Sequence, residues 1–149
     1  MLVALGGCGF FGNSTPDGPS EYSQGRLCAE FTEFVKNELS ADVEYREAAG
    51  DDRPIGYSTG CRPAPSSGPS VGQLVMSRST EDGTSEPNEP SYEPQNGFDE
   101  DVWIAPDNRF RVQIGRWIGT MELYRMELTN EQTRKSIEFL IRETRAVRG

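Results

Sequence analysis

The chain has no histidine among its 149 residues. That absence removes the side chain that most often serves as a general base near neutral pH. It also removes the Ser-His and Cys-His arrangements of nucleophilic catalysis and most zinc and iron sites. Lysine is scarce too: Lys36 and Lys135 stand beside thirteen arginines, and the acidic residues outnumber both to give a net charge of -9. Clustered basic charge is what draws a protein to phosphate backbones and anionic surfaces, so nucleic acid is not an expected partner. Hydrophobic residues make up only 34% of the chain, and nothing after Cys8 is long or apolar enough to read as a membrane-spanning helix. No CxxC spacing occurs, and three cysteines without histidine make a poor zinc site, so no metal or other cofactor is expected. A chain of this length fits one domain with unstructured appendages.

What is present begins at the N-terminus. Residues 1–5 are apolar and lead into Gly6, Gly7 and Cys8. The run Leu5-Gly6-Gly7-Cys8 resembles the lipobox of bacterial cell-envelope lipoproteins, an aliphatic residue three before a cysteine with two small residues between. The resemblance implies a diacylglycerol on the Cys8 sulfur, cleavage before Cys8, and acylation of the new amine. It also implies a domain anchored to the extracytoplasmic face of the cell membrane. Each buried CH₂ of an acyl chain contributes about 0.8 kcal/mol, so two or three chains hold a protein stably. A secretory signal needs a basic n-region and an apolar stretch of roughly 7 to 15 residues, so this reading expects a start upstream of Met1. Residues 9–24 mix Gly, Asn, Ser, Pro, Asp and Thr without hydrophobic period. That is the composition of a flexible tether, with a span of about 20 to 24 Å.

Setting Cys8 aside leaves Cys28 and Cys61, an even pair that an oxidising compartment would allow to bond. A loop closed over about 34 residues would add roughly 3.5 to 4 kcal/mol in the chain-entropy account. Two separate buried thiols are the alternative reading. The whole arrangement resembles small actinobacterial envelope lipoproteins in which a cysteine early in the first helix pairs with one on a strand. That likeness implies location and topology and carries across no further functional residue.

Leu27, Phe31, Phe34, Val35 and Leu39 recur at helical spacing and predict a helix over residues 26–39. Alternation over residues 43–46 predicts a strand, turn residues follow at 49–52, and residues 55–62 are expected to pair back against it. Pro63, Pro65 and Pro69 should break further pairing before a strand at 71–79 with Leu74 and Met76 on one face. Residues 80–101 hold eight acidic residues, three prolines and no basic residue, which reads as a disordered acidic loop. Its Asp99, Glu100 and Asp101 lack the spacing of a calcium loop. Val102, Trp103 and Ile104, then a turn at 105–108, then Phe110, Val112 and Ile114 give the clearest hairpin signal. The alternation loses phase at 115–119, so a bend is expected there, with Trp117 either a ligand or partner contact or a partly buried ring. A strand at 120–127 follows. Thr129 and Gln132 form a capping box that opens a C-terminal helix, with Ile137, Leu140, Ile141, Thr144 and Val147 on its inner face.

The expected fold is therefore α+β: residues 25–149 form one domain, an antiparallel sheet of about five strands with an N-terminal and a C-terminal helix packed on it. Three functions remain open. The first is a non-enzymatic binding or adaptor module, attached to the membrane through lipid on Cys8, with an envelope protein or lipid as partner. The second is a carrier or sensor for a lipid or small hydrophobic ligand, which requires an enclosed apolar pocket. The third is a carboxylate-based hydrolase, which requires two carboxylates facing each other across a cleft.

Overall fold

The computed structural model describes residues 20–80 and 86–149. The first helix, α1 (Gln24–Glu38), opens on Ser23, whose hydroxyl accepts from the Arg26 amide at 3.1 Å. That bond satisfies one of the donors every helix leaves unpaired in its first turn. Leu27, Phe31, Phe34 and Val35 are its buried stripe, and Ser40 at φ 55 follows its end.

Eight strands follow: β1 (Val43–Glu44), β2 (Ser58–Cys61), β3 (Ala64–Pro65), β4 (Gly72–Arg78), β5 (Glu93–Gln95), β6 (Asp101–Ala105), β7 (Arg109–Ile114) and β8 (Trp117–Leu123). Six of them form one antiparallel sheet in the order β2-β4-β8-β7-β6-β5, while β1 and β3 pair separately. The C-terminal helix α2 (Asn130–Arg148) carries the expected capping box. In it the Gln132 amide donates to the Thr129 hydroxyl at 3.1 Å and the Thr129 amide to the Gln132 side chain at 3.0 Å. The class is α+β, two helices on a mostly antiparallel sheet.

The hairpin of β6 and β7 has the register the alternation requires, Val102 opposite Val112 and Ile104 opposite Phe110. Phe110, Val112 and Ile114 all lie in the core. Strands β4 and β8 run side by side over seven residues, which brings Leu74 and Met76 beside Met121 and Gly119. Helix α2 lies across β7 and β8, and α1 packs on β1, β2 and α2. At Gly119 a Cβ would meet the Thr144 hydroxyl at 2.4 Å and Leu140 Cδ1 at 2.9 Å. Only glycine lets α2 approach this closely.

Four expectations change. Residues 55–62 do not return against β1, because the preceding stretch is engaged elsewhere. Gln24 and Gly25 donate to the carbonyls of Arg53 and Asp51 at 2.9 and 2.7 Å, and the Ile55 amide donates to Tyr22 O at 2.9 Å. Gly25 permits that approach, since a Cβ there would lie 2.7 Å from Asp51 Cβ. Strand β1 instead takes β3, with Val43 opposite Pro65, so the prolines end the main sheet without ending all pairing. The acidic stretch is not structureless throughout: β5 pairs with β6, Pro94 opposite Trp103, at the sheet edge where a missing N–H is tolerated. Residues 20–24, expected to belong to the tether, are part of the domain instead, since Ser20 and Tyr22 are buried and α1 opens at Gln24, while residues 9–19 lie outside the described residues.

Candidate functional site

The residues singled out from sequence lie apart. Leu5, Gly6, Gly7 and Cys8 fall outside the described residues. Cys28 and Cys61 are joined by a disulfide, their Cα atoms 5.2 Å apart, which fastens α1 to the edge strand β2. Trp117 is fully buried, which leaves its ring no exposed surface to present to a ligand or partner. The turn is tighter than the loss of phase implied: Ile114 pairs directly with Trp117, leaving only Gly115 and Arg116 between the strands. Trp117 thereby shares the inner face of β8 with Met121 and Leu123. Its indole N–H has no hydrogen-bond partner among the described residues.

A polar cluster that the sequence reading did not single out joins three segments. The Glu143 side chain is 1% exposed, although it is a carboxylate on the inner side of α2. Its Oε2 accepts from the Tyr22 hydroxyl at 2.7 Å, and its Oε1 accepts from Arg142 Nε and Nη2 at 3.1 and 3.0 Å. The same Arg142 Nη2 lies 3.4 Å from Glu30 Oε2, so one guanidinium touches two carboxyl groups. Arg26 closes the group on the α1 side, 3.1 Å from Glu30 Oε1 and stacked 4.6 Å over the Tyr22 ring.

The electrostatics follow from that geometry. Burial raises the Glu143 carboxyl above its ordinary value, and the neighbouring Glu30 pushes the same way against the bonds from Tyr22 and Arg142. Burial also disfavours the Glu30 carboxylate, yet the bond from Arg26, the contact with Glu143 and the charge of Arg142 together hold it below the usual range. Burial and the bond to Glu143 push the Tyr22 phenol well above its usual value. The two carboxyls thus differ in proton affinity, Glu143 holding its proton the more tightly.

This pair does not meet the requirements of a carboxylate hydrolase. Such enzymes keep their two carboxyls about 5 to 9.5 Å apart with the substrate between them. Here Tyr22 and Arg142 occupy both oxygens of Glu143, and Arg142 bridges the gap. The grooves around Arg142 open to solvent; one of about 310 Å³ is lined by Glu30, Glu33, Phe34 and Asn37. The layer between sheet and helices, where a carrier would hold an apolar ligand, is filled by Trp117, Phe110, Met121 and Leu140.

The face of the sheet turned away from the helices carries a different surface. Gln73 and Val75 on β4, Thr120 and Glu122 on β8, and Arg109 and Arg111 on β7 alternate with the core positions. Arg111 stacks 5.6 Å over Trp103, its neighbour in register. Arg109 binds the segment before β5, reaching Glu89 Oε2 at 2.7 Å and the Ser91 hydroxyl at 3.2 Å, with its guanidinium over the Tyr92 ring. Burial lowers Arg111 and raises Tyr92 relative to their ordinary values. Among the described residues no group of three or more Cys, Asp or Glu is placed to hold a metal ion.

Comparison with known proteins returns no match to a protein-family model, to a curated protein or to a solved structure.

Proposed function

We propose that this chain is a non-enzymatic binding or adaptor module, anchored through lipid on Cys8 to the extracytoplasmic face of a cell membrane. The observation that carries the reading is the Cys28–Cys61 disulfide. Such bonds persist in oxidising compartments and are rare where cellular thiol buffers keep cysteines reduced. A lipobox-like Leu5-Gly6-Gly7-Cys8 ahead of a disulfide-bonded domain is consistent with export followed by anchoring. The filled interior supports recognition at the surface over enclosure of a ligand.

The test is expression from the gene with its upstream sequence in a bacterial host, followed by mass spectrometry and membrane fractionation. A mature chain beginning at a diacylglyceryl-modified Cys8 and sedimenting with membranes is expected. Replacement Cys8→Ser should abolish the modification and move the protein to the soluble fraction. An unmodified Cys8 in a chain that still carries Met1 would end the proposal.

A further inference from the structure

We propose that β2, the open edge of the main sheet, receives an extended acidic segment of a partner polypeptide as a further strand. The proposal rests on the reading of the domain as a binding module and supplies its class of partner. In an antiparallel ladder each residue turns its N–H and C=O to the same side, and the side alternates along the strand. The Arg78 amide donates to the Tyr57 carbonyl at 2.9 Å, and in the same register Thr59 lies opposite Met76 and Cys61 opposite Leu74. Tyr57, Thr59 and Cys61 are therefore committed to β4, while Ser58 and Gly60 turn their amides and carbonyls away from the sheet. Both residues are exposed, and these backbone groups meet no partner among the described residues. Main-chain bonds to such an edge are how extended peptides add a strand.

The opposite edge is closed to the same chemistry. The Leu123 amide donates to the Asn108 carbonyl at 3.1 Å, which sets the alternation for β7. Carried through the registers of β7 and β6, it turns Glu93 and Gln95 toward β6 and Pro94 outward. The outward residue of β5 thus has no N–H to offer. On β2 the outward residues are a serine and a glycine, and a Cβ added at Gly56, just ahead of the strand, would meet nothing within 4 Å. The disulfide at Cys61 holds this edge to α1, so a docking strand finds it already ordered.

Charge decides the occupant. The chain carries a net charge of -9, yet residues 53–80 contain no Asp or Glu and three arginines. Two of those arginines frame β2. Arg62 follows the strand and donates to Gln73 Oε1 at 3.0 Å, and Arg78 stands beside Tyr57 at the other end, its guanidinium 5.6 Å over the ring. Neither enters an ion pair among the described residues, whereas Arg109, Arg142 and Arg145 each hold a carboxylate. Pairing β2 with β2 of a second copy would bring like charges together, and a basic strand would be repelled; an acidic one is attracted at both ends. Screening confines that attraction to within about 10 Å of the arginines, so the acidic remainder of the chain does not cancel it. The Tyr57 ring, 71% exposed, offers apolar surface beside the docked strand.

The test uses the full chain with its disulfide intact and Cys8→Ser, so that neither lipid nor export enters the result. Failure here leaves the membrane anchor standing, and an unlipidated Cys8 leaves the edge standing. A capped peptide of alternating threonine and glutamate, and its lysine counterpart, are titrated against the labelled chain by amide NMR. The acidic peptide should bind more tightly than about 1 mM. It should shift the Ser58 and Gly60 amides and slow their hydrogen exchange, while exchange at Thr59 and Cys61, already bonded to β4, changes little. The lysine peptide should do neither. The double replacement Arg62→Glu with Arg78→Glu should weaken the acidic peptide by about tenfold and admit the basic one. Should that chain not fold, Arg62→Glu alone, at an exposed position, should weaken the acidic peptide in the same direction. The proposal is overturned if the acidic peptide leaves Ser58 and Gly60 unmoved, if both peptides bind alike, or if charge reversal changes nothing. It is also overturned if the chain without peptide self-associates with those two amides protected, which would make a second copy the occupant.

Discussion

At the scale of single residues, two positions carry constraints that their type alone does not reveal. Gly119 sits in a strand, where glycine ordinarily weakens packing, yet its missing Cβ is what admits Thr144 and Leu140 of α2. Gly119→Ala should therefore destabilise the fold by about 1 to 3 kcal/mol through overpacking, read as a lowered thermal midpoint. A neutral or stabilising outcome would mean that the helix can shift outward without loss. Glu143 is the converse case, a charge-bearing residue at a core position. Its place was legible in principle: it stands three residues after Leu140 and four before Val147, on the apolar stripe of α2. What could not be read was the partner, because Tyr22 lies 121 positions away in a stretch whose composition resembles a linker.

Elements were legible in proportion to how far their signals are local. Both helices fall within two residues of their expected starts, since capping side chains and a 3.6-residue stripe are properties of neighbouring residues. Thr129→Ala, which removes the accepting hydroxyl of the capping box, should cost about 1 kcal/mol, measurable by denaturant unfolding with an unchanged slope. The β6–β7 hairpin was equally readable, because a short turn fixes its register. Strand β1 was found and its partner was not. Whether residues 55–62 return against β1 is decided just upstream, where the carbonyls of Arg53 and Asp51 accept from the amides of Gln24 and Gly25, contacts across more than twenty residues. Strand β5 was missed for a related reason: acidic residues and Pro94 oppose strand formation locally, and only the open edge of β6 supplies the pairing.

For the whole molecule, the disulfide is the long-range constraint with the largest single expected effect. Reduction, or the double replacement Cys28→Ser with Cys61→Ser, should lower stability by about 3.5 to 4 kcal/mol in the chain-entropy account, seen as a shifted denaturation midpoint. A negligible shift would show that the reduced chain retains the same constraint by other means. The bond also supports the proposed export, since disulfides persist in oxidising compartments.

The sequence by itself determined the α+β class, the two helices with their caps and the central hairpin, because each depends on residues within a turn or two of one another. Its pair of cysteines at positions 28 and 61 also anticipated the disulfide. Only the tertiary structure decided the strand order, the partner of β1, the burial of Trp117 and the meeting of Tyr22, Glu30 and Glu143. Those depend on which distant groups remain to satisfy a hydrogen bond or fill a space once the local elements have formed. Short-range periodicity carries no record of that choice.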